Sequence, residues 1–250
     1  MTYTYDGSYE GLLSVIFETY RLGQPADSIC EESVAQPELF GNLAHVATQP
    51  DHAKRVLRGV AKRTNSDITR ILYHCFLSEQ PDIELLLYRF VRLAMDSTES
   101  VLENFREPVV LRLHRIERQI HREVHRMHAF VRFQETQDGL YAALVTPDFN
   151  VLPLLAPHFQ DRYPAFRWLI YDTRRRYGLY HEDHATRFIT LDTAPNQLQE
   201  AMLASAETDY QALWQTYFSS VDIPERRNMK LHLQHVPRRY WKYLVEKQDF

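Results

Sequence analysis

Five arginines, Arg112, Arg115, Arg118, Arg122 and Arg126, recur every three or four residues between Pro108 and His128 (PVVLRLHRIERQIHREVHRMH). At 3.6 residues per turn this spacing sets them along one face of a helix, over about 20 Å. A guanidinium grips phosphate through a planar, two-pronged fork, so such a row suits a row of phosphates. The same pattern is also the ordinary solvated face of a helix, and Glu123 with Arg126 is a routine i,i+3 pair. Two further stripes share the segment. Val109, Leu113, Ile116, Ile120, Val124 and Met127 make a core stripe, and His114, His121, His125 and His128 make a third.

His121 and His125 stand four residues apart, the spacing that lets two imidazoles share a metal. The text between them reads H-R-E-V-H, not H-E-x-x-H, so the glutamate falls one position late for a metalloprotease. Glu117, four residues before His121, can instead tie to it. No residue is assigned as a metal ligand and no cofactor is implied. A proton-transfer role is the remaining chemistry, with His125 and Glu123 as the candidate catalytic pair. Polar bridging between packed elements is the structural alternative.

The tail repeats the cationic theme. Arg226, Arg227, Asn228 and Lys230 precede Pro237-Arg238-Arg239-Tyr240-Trp241-Lys242-Tyr243. Interleaved cations and rings suit single-stranded nucleic acid, the cations on backbone and the rings on bases. The alternative is that Tyr240, Trp241 and Leu244 dock the tail on the core while the cations stay wet. The candidate nucleic-acid ligands are therefore Arg115, Arg118, Arg122, Arg126, Arg132, Arg226, Arg227, Asn228, Lys230, Arg238, Arg239, Tyr240 and Trp241. A fourth polar set, His158, Asp161, Arg162 and Arg174 to His181, has no spacing that draws it together. Asp172 or Asp183 could bring it a carboxylate. There is no G-x-x-x-x-G-K-[ST], G-x-G-x-x-G or G-x-S-x-G, hence no phosphate loop and no hydrolase elbow.

The net charge of −4 is polarised. Residues 1–50 hold one basic and seven acidic side chains, whereas residues 106–132 and 224–250 each hold seven basic and three acidic ones. A mild total thus conceals basic segments. Two cysteines, Cys30 and Cys75, make neither a disulfide framework nor a cluster site. No apolar run reaches the roughly 20 residues of a membrane span. The N-terminus has no apolar leader, so the expected setting is the cytoplasm, away from membrane.

Positioning these residues requires the following elements. Thr2–Asp6 reads as a short strand and residues 9–22 as an amphipathic helix, with a further extended piece near Ile29. Helices follow over 51–62, 68–77, 82–95 and 98–105, then the long helix over 108–128. The period then switches to two. Strands over 129–134, 140–146, 166–172 and 186–191, with a helix over 151–163 and the stretch 177–181 leading to the last strand, predict a small antiparallel sheet in β-β-α-β-β order. A helix from Pro195 to Phe218 and the basic tail close the chain. The fold class is α+β, with a helical N-terminal half (1–107), a central helix (108–128), a sheet part (129–192) and a C-terminal part (193–250). These form one domain, 1–250, whose halves share the long helix.

Three stretches in combination resemble a known family: YDGSYEGLLSVIFETY, EVHRMHAFVRF and RRNMKLHLQHVPRRYWKYLVE. The family is bacterial and described as DNA metabolism or DNA repair proteins. Its domain also occurs fused to uracil-DNA-glycosylase-like domains, and stand-alone members accompany a radical-SAM protein. The resemblance covers nearly the whole chain and implies a setting rather than a reaction. Asp6, Gly7, Glu10, Glu123, His125, Arg126, Met127, Arg132, Arg226, Asn228, Arg239, Tyr240 and Trp241 stand at matching positions. The chain has neither a glycosylase portion nor cluster cysteines, so either chemistry would need a partner. The expectation is a nucleic-acid-binding accessory protein of bacterial DNA repair or modification, acting with a radical-SAM or glycosylase-type partner. Two alternatives stand beside it. One is an enzyme acting on a nucleobase or nucleic-acid end through a histidine acid or base. The other is a protein-interaction module for an acidic partner.

Overall fold

The computed structural model of the chain describes residues 1–35, 43–136, 138–191 and 236–244. Internal contacts divide the chain into two compact units, Met1–His121 and Arg122–Phe250, with the division inside the long helix. The fold is α+β.

The first unit starts from a buried strand. β1 (Thr2–Tyr5) is buried along its whole length, as the centre of a parallel sheet must be. It pairs in parallel with β2 (Ser28–Glu31) on one side and β3 (Leu43–His45) on the other. The helical half therefore carries a three-stranded parallel sheet: β1 and the extended piece near Ile29 match the sequence reading, whereas β3, only three residues long, and the parallel pairing do not show in its periodicity. The turn after β1 explains the DGSYEG stretch. Gly7 takes φ +81°, Asp6 accepts from the Ser8 amide and hydroxyl and from Thr48, and Ser8 Oγ accepts from the Gly11 amide. That last bond is the N-cap of α1 (Tyr9–Leu22). The remaining helices are α2 (Pro50–Arg63), α3 (Ile68–Phe76), α4 (Ile83–Asp96) and the first part of α5 (Pro108–Phe130). Residues 98–105 form turns instead of the expected short helix.

In the second unit the five-stranded sheet has the order β4 (Gln134–Glu135), β5 (Tyr141–Val145), β6 (Trp168–Asp172), β7 (Tyr177–Glu182), β8 (Ala185–Thr190). The expected all-antiparallel sheet is corrected at one place. β5 and β6 pair in parallel because α6 (Leu152–Arg162) lies between them and carries the chain back to the starting edge. The other pairs are antiparallel. A second correction concerns AFVRF. The helix runs on to Phe130, and Arg132 donates to the Ala129 carbonyl at its C-terminal end. Phe133 leaves the chain there to pack on Phe159, Tyr163 and Trp168. The expected C-terminal helix lies outside the described residues. The tail re-enters them as a 3-10 helix, Arg238–Tyr243.

Candidate nucleic-acid interface

α5 positions the arginines and also corrects the core stripe. The buried positions are Val110, Leu113, Ile116, Glu117, Ile120, Glu123 and Met127, a 3-4 repeat with Val110 in place of Val109. Two glutamates thus sit on the core side of the helix. Arg115, Arg118 and Arg122 are exposed, as expected of the cationic face. Arg118 folds back on the His114 carbonyl, and Arg112 donates to the Pro81 carbonyl.

Glu123, 1% exposed, organises the second unit. One oxygen accepts from the Asp148 amide at 2.8 Å. The other takes Arg239 Nη2 at 2.9 Å, with Arg126 3.7 Å away. Arg239 also pairs with Asp148 at 2.8 Å and donates to the Tyr240 hydroxyl at 2.7 Å. Burial pulls the Arg239 pKa down, but Glu123, Tyr240 and Asp148 outweigh it and the net shift is upward. Burial, then the hydrogen bond to Glu123, pushes the Tyr240 phenol up. Tyr240 lies against Phe130, ring centroids 5.3 Å apart. Arg239 and Tyr240 are therefore the anchor of the tail, and Glu123 is its socket. The Glu123 carboxylate is thus engaged by one amide and two guanidiniums. His125, two residues away, is exposed, and no described contact joins it to Glu123.

The anchor presents other side chains outward. A pocket of about 380 Å³ is lined by Thr146, Pro147, Asp148, Arg174, Arg238, Arg239 and Lys242. Four cations thus face one carboxylate. Arg239 spends its charge on Glu123 and Asp148. Arg174, Arg238 and Lys242 remain exposed. Arg238 and Lys242 each lie over a ring, Trp241 at 5.9 Å and Tyr243 at 4.5 Å. Trp241 is half-buried and donates Nε1–H to the Val236 carbonyl. Behind Arg174, Asp172, fully buried, accepts from the amides of Arg174 and Arg175 and from the Arg175 guanidinium. Arg175 in turn donates to the Pro147 and Asp148 carbonyls. Of the three consecutive arginines, the middle one pins the turn, Arg174 is exposed but donates Nη1–H to the Asp148 carbonyl at 3.2 Å, and Arg176 faces solvent. The Thr146, Thr173 and Tyr243 hydroxyls form a joined set, Thr146 to Thr173 at 2.8 Å and Thr173 to Tyr243 at 3.1 Å, that ties the tail to β5 and the β6–β7 turn.

The structure thus brings Glu123, Arg126, Arg239 and Tyr240 together, with Arg238 beside them. Arg132 caps the α5 C-terminus, and Arg226, Arg227, Asn228 and Lys230 lie outside the described residues. Sequence reasoning missed Arg174, Lys242 and the three hydroxyls as one set. The D-T-R-R-R run, an acid followed by amides it can accept from, was the local signal. Among the histidines, His128 stacks on His158 at 3.9 Å, and His121 turns to Glu117. Asp172 serves the arginine turn rather than a histidine. No helix among the described residues is long and apolar enough to cross a membrane.

A family model described as a domain of unknown function, DUF4130, matches residues 81–246. No curated protein and no solved structure matches the chain.

Proposed function

The chain belongs to the DUF4130 family, and from that premise we propose that it is a nucleic-acid-binding accessory protein of bacterial DNA repair or modification. The single observation that carries this reading is the pocket where Arg174, Arg238 and Lys242 converge. The cations come from the β6–β7 turn and the tail, some 65 residues apart in sequence. Their geometry suits phosphate: exposed cationic heads on a floor fixed by Asp172, Glu123 and the Tyr240 anchor. Arg122 on α5, exposed in the same unit, adds a further cation. Trp241, half-buried beneath Arg238, supplies a ring near the backbone site.

The likeness of the three sequence stretches to DNA metabolism and repair proteins supports DNA as the polymer. The same likeness supports a radical-SAM or glycosylase-type protein as the partner that performs chemistry. Fluorescence anisotropy with a labelled single-stranded oligonucleotide tests the reading. We expect micromolar or tighter binding at low salt, weakened by Arg174→Ala and by Arg238→Ala. Absence of binding at tens of micromolar protein would remove the proposal. Co-purification with the radical-SAM protein that survives nuclease treatment tests the partner separately.

A further inference from the structure

We propose that His74, Glu117 and His121 bind a divalent transition-metal ion, at the point now held by the Arg70 guanidinium. The site lies wholly in the first unit, where two i,i+4 pairs face each other: Arg70 and His74 on α3, Glu117 and His121 on α5. One ligand atom from each of His74, Glu117 and His121 falls within 4.8 Å of the others.

Lone-pair directions give the argument. Arg70 Nη1 lies 3.1 Å from Glu117 Oε1 and 3.1 Å from His121 Nε2. A guanidinium only donates, so His121 Nε2 must accept, and its proton resides on Nδ1. An imidazole lone pair and a carboxylate lone pair therefore converge on one cationic centre. The two acceptors are 3.5 Å apart. Ligands about 2.1 Å from a tetrahedral metal are separated by about 3.4 Å. His74 completes the set. It is buried, its Nδ1 has no hydrogen-bond partner among the described residues, and its ring meets that of His121 edge-on at 5.2 Å. A buried imidazole nitrogen with no partner is costly unless something coordinates it.

Two imidazoles and one carboxylate are a donor set for zinc and its neighbours, not for magnesium or calcium, which take oxygen. Three protein ligands leave a fourth tetrahedral position for water. Arg70 is half-exposed at its side chain, so it can swing into solvent as the ion enters, one cation replacing another on Glu117. Arg70 thus acts as a competitor, which sets a variant apart from any purely structural network. The pair the sequence singles out, His121 with His125, is not the one that converges.

The test is a calorimetric titration of tag-free, chelator-treated protein with zinc, with Co(II) absorption as the spectroscopic check. We expect one ion per chain and a tetrahedral Co(II) spectrum. Replacing the exposed ligand, His121→Ala, should weaken binding at least about tenfold, and Glu117→Gln likewise. Arg70→Ala should tighten binding severalfold by removing the competitor, while His125→Ala should leave it unchanged. His121 and Arg70 are exposed, so their variants keep the fold even if Glu117→Gln does not. No zinc uptake at micromolar concentration would overturn the site. So would binding indifferent to His121→Ala, or binding weakened by Arg70→Ala.

Discussion

Glu123 is the residue on which the second unit's candidate interface depends. Its carboxylate is out of water and holds Arg239, Arg126 and the Asp148 amide. Glu123→Ala would leave Arg239 with Asp148 as its carboxylate partner and the Asp148 amide without its acceptor, at a cost of about 1–3 kcal/mol. Chemical denaturation should show that loss, and a change below 1 kcal/mol would mean Arg239 finds water instead. Arg238→Ala and Lys242→Ala are the contrast. Both side chains are exposed, so stability should move by no more than about 0.5 kcal/mol while oligonucleotide affinity falls. His128 supplies a pH dependence. Burial, then His158 and His125, lowers its pKa to about 4. The unfolded chain takes that proton near the ordinary value of about 6.5. The contribution to stability is therefore complete above pH 6.5 and declines as pH falls toward 4. Thermal midpoints should drop between pH 7.5 and 5, and His128→Gln should flatten the drop. A wild-type profile as flat as the variant's would contradict this. At this scale the sequence showed Arg238, Arg239, Tyr240 and Glu123 but not their division of labour. Paired and exposed arginines look alike until a buried acid is placed among them.

At the scale of elements, the DGSYEG stretch is the informative case. It carries part of the family resemblance and works as the β1–α1 connection, with Asp6 and Ser8 capping and Gly11 packed closely. A Cβ on Gly11 would lie 2.2 Å from Asp6 Oδ1 and 2.8 Å from Thr48 Oγ1. Gly11→Ala should therefore break the capping network and destabilise the first unit by about 1–3 kcal/mol. Hydrogen exchange of the α1 amides would detect it, and unchanged protection would refute the packing argument. Long helices were legible because a 3.6 period repeats over many residues. The three-residue strand β3 gave no period to read, and the parallel β5–β6 pairing is set by the path of α6 rather than by either strand's own residues. The AFVRF stretch misled because Phe and Val favour strands, whereas here Arg132 closes a helix end.

For the whole molecule, the polarised charge was visible from composition. Which cations share a surface was not, since that depends on the β6–β7 turn meeting the tail within one unit. Three exposed cations at a phosphate site predict a log–log salt slope for single strands of about −2, from roughly 0.7 per phosphate. The most direct measurement is that slope, taken by anisotropy from low to moderate salt for the wild-type chain and for the Arg174→Ala, Arg238→Ala, Lys242→Ala triple variant. The three cations predict a slope near −2 that becomes markedly shallower in the variant, where only outlying cations such as Arg122 remain, with its thermal stability intact. An equal slope in both proteins would place the polymer elsewhere and contradict the proposal.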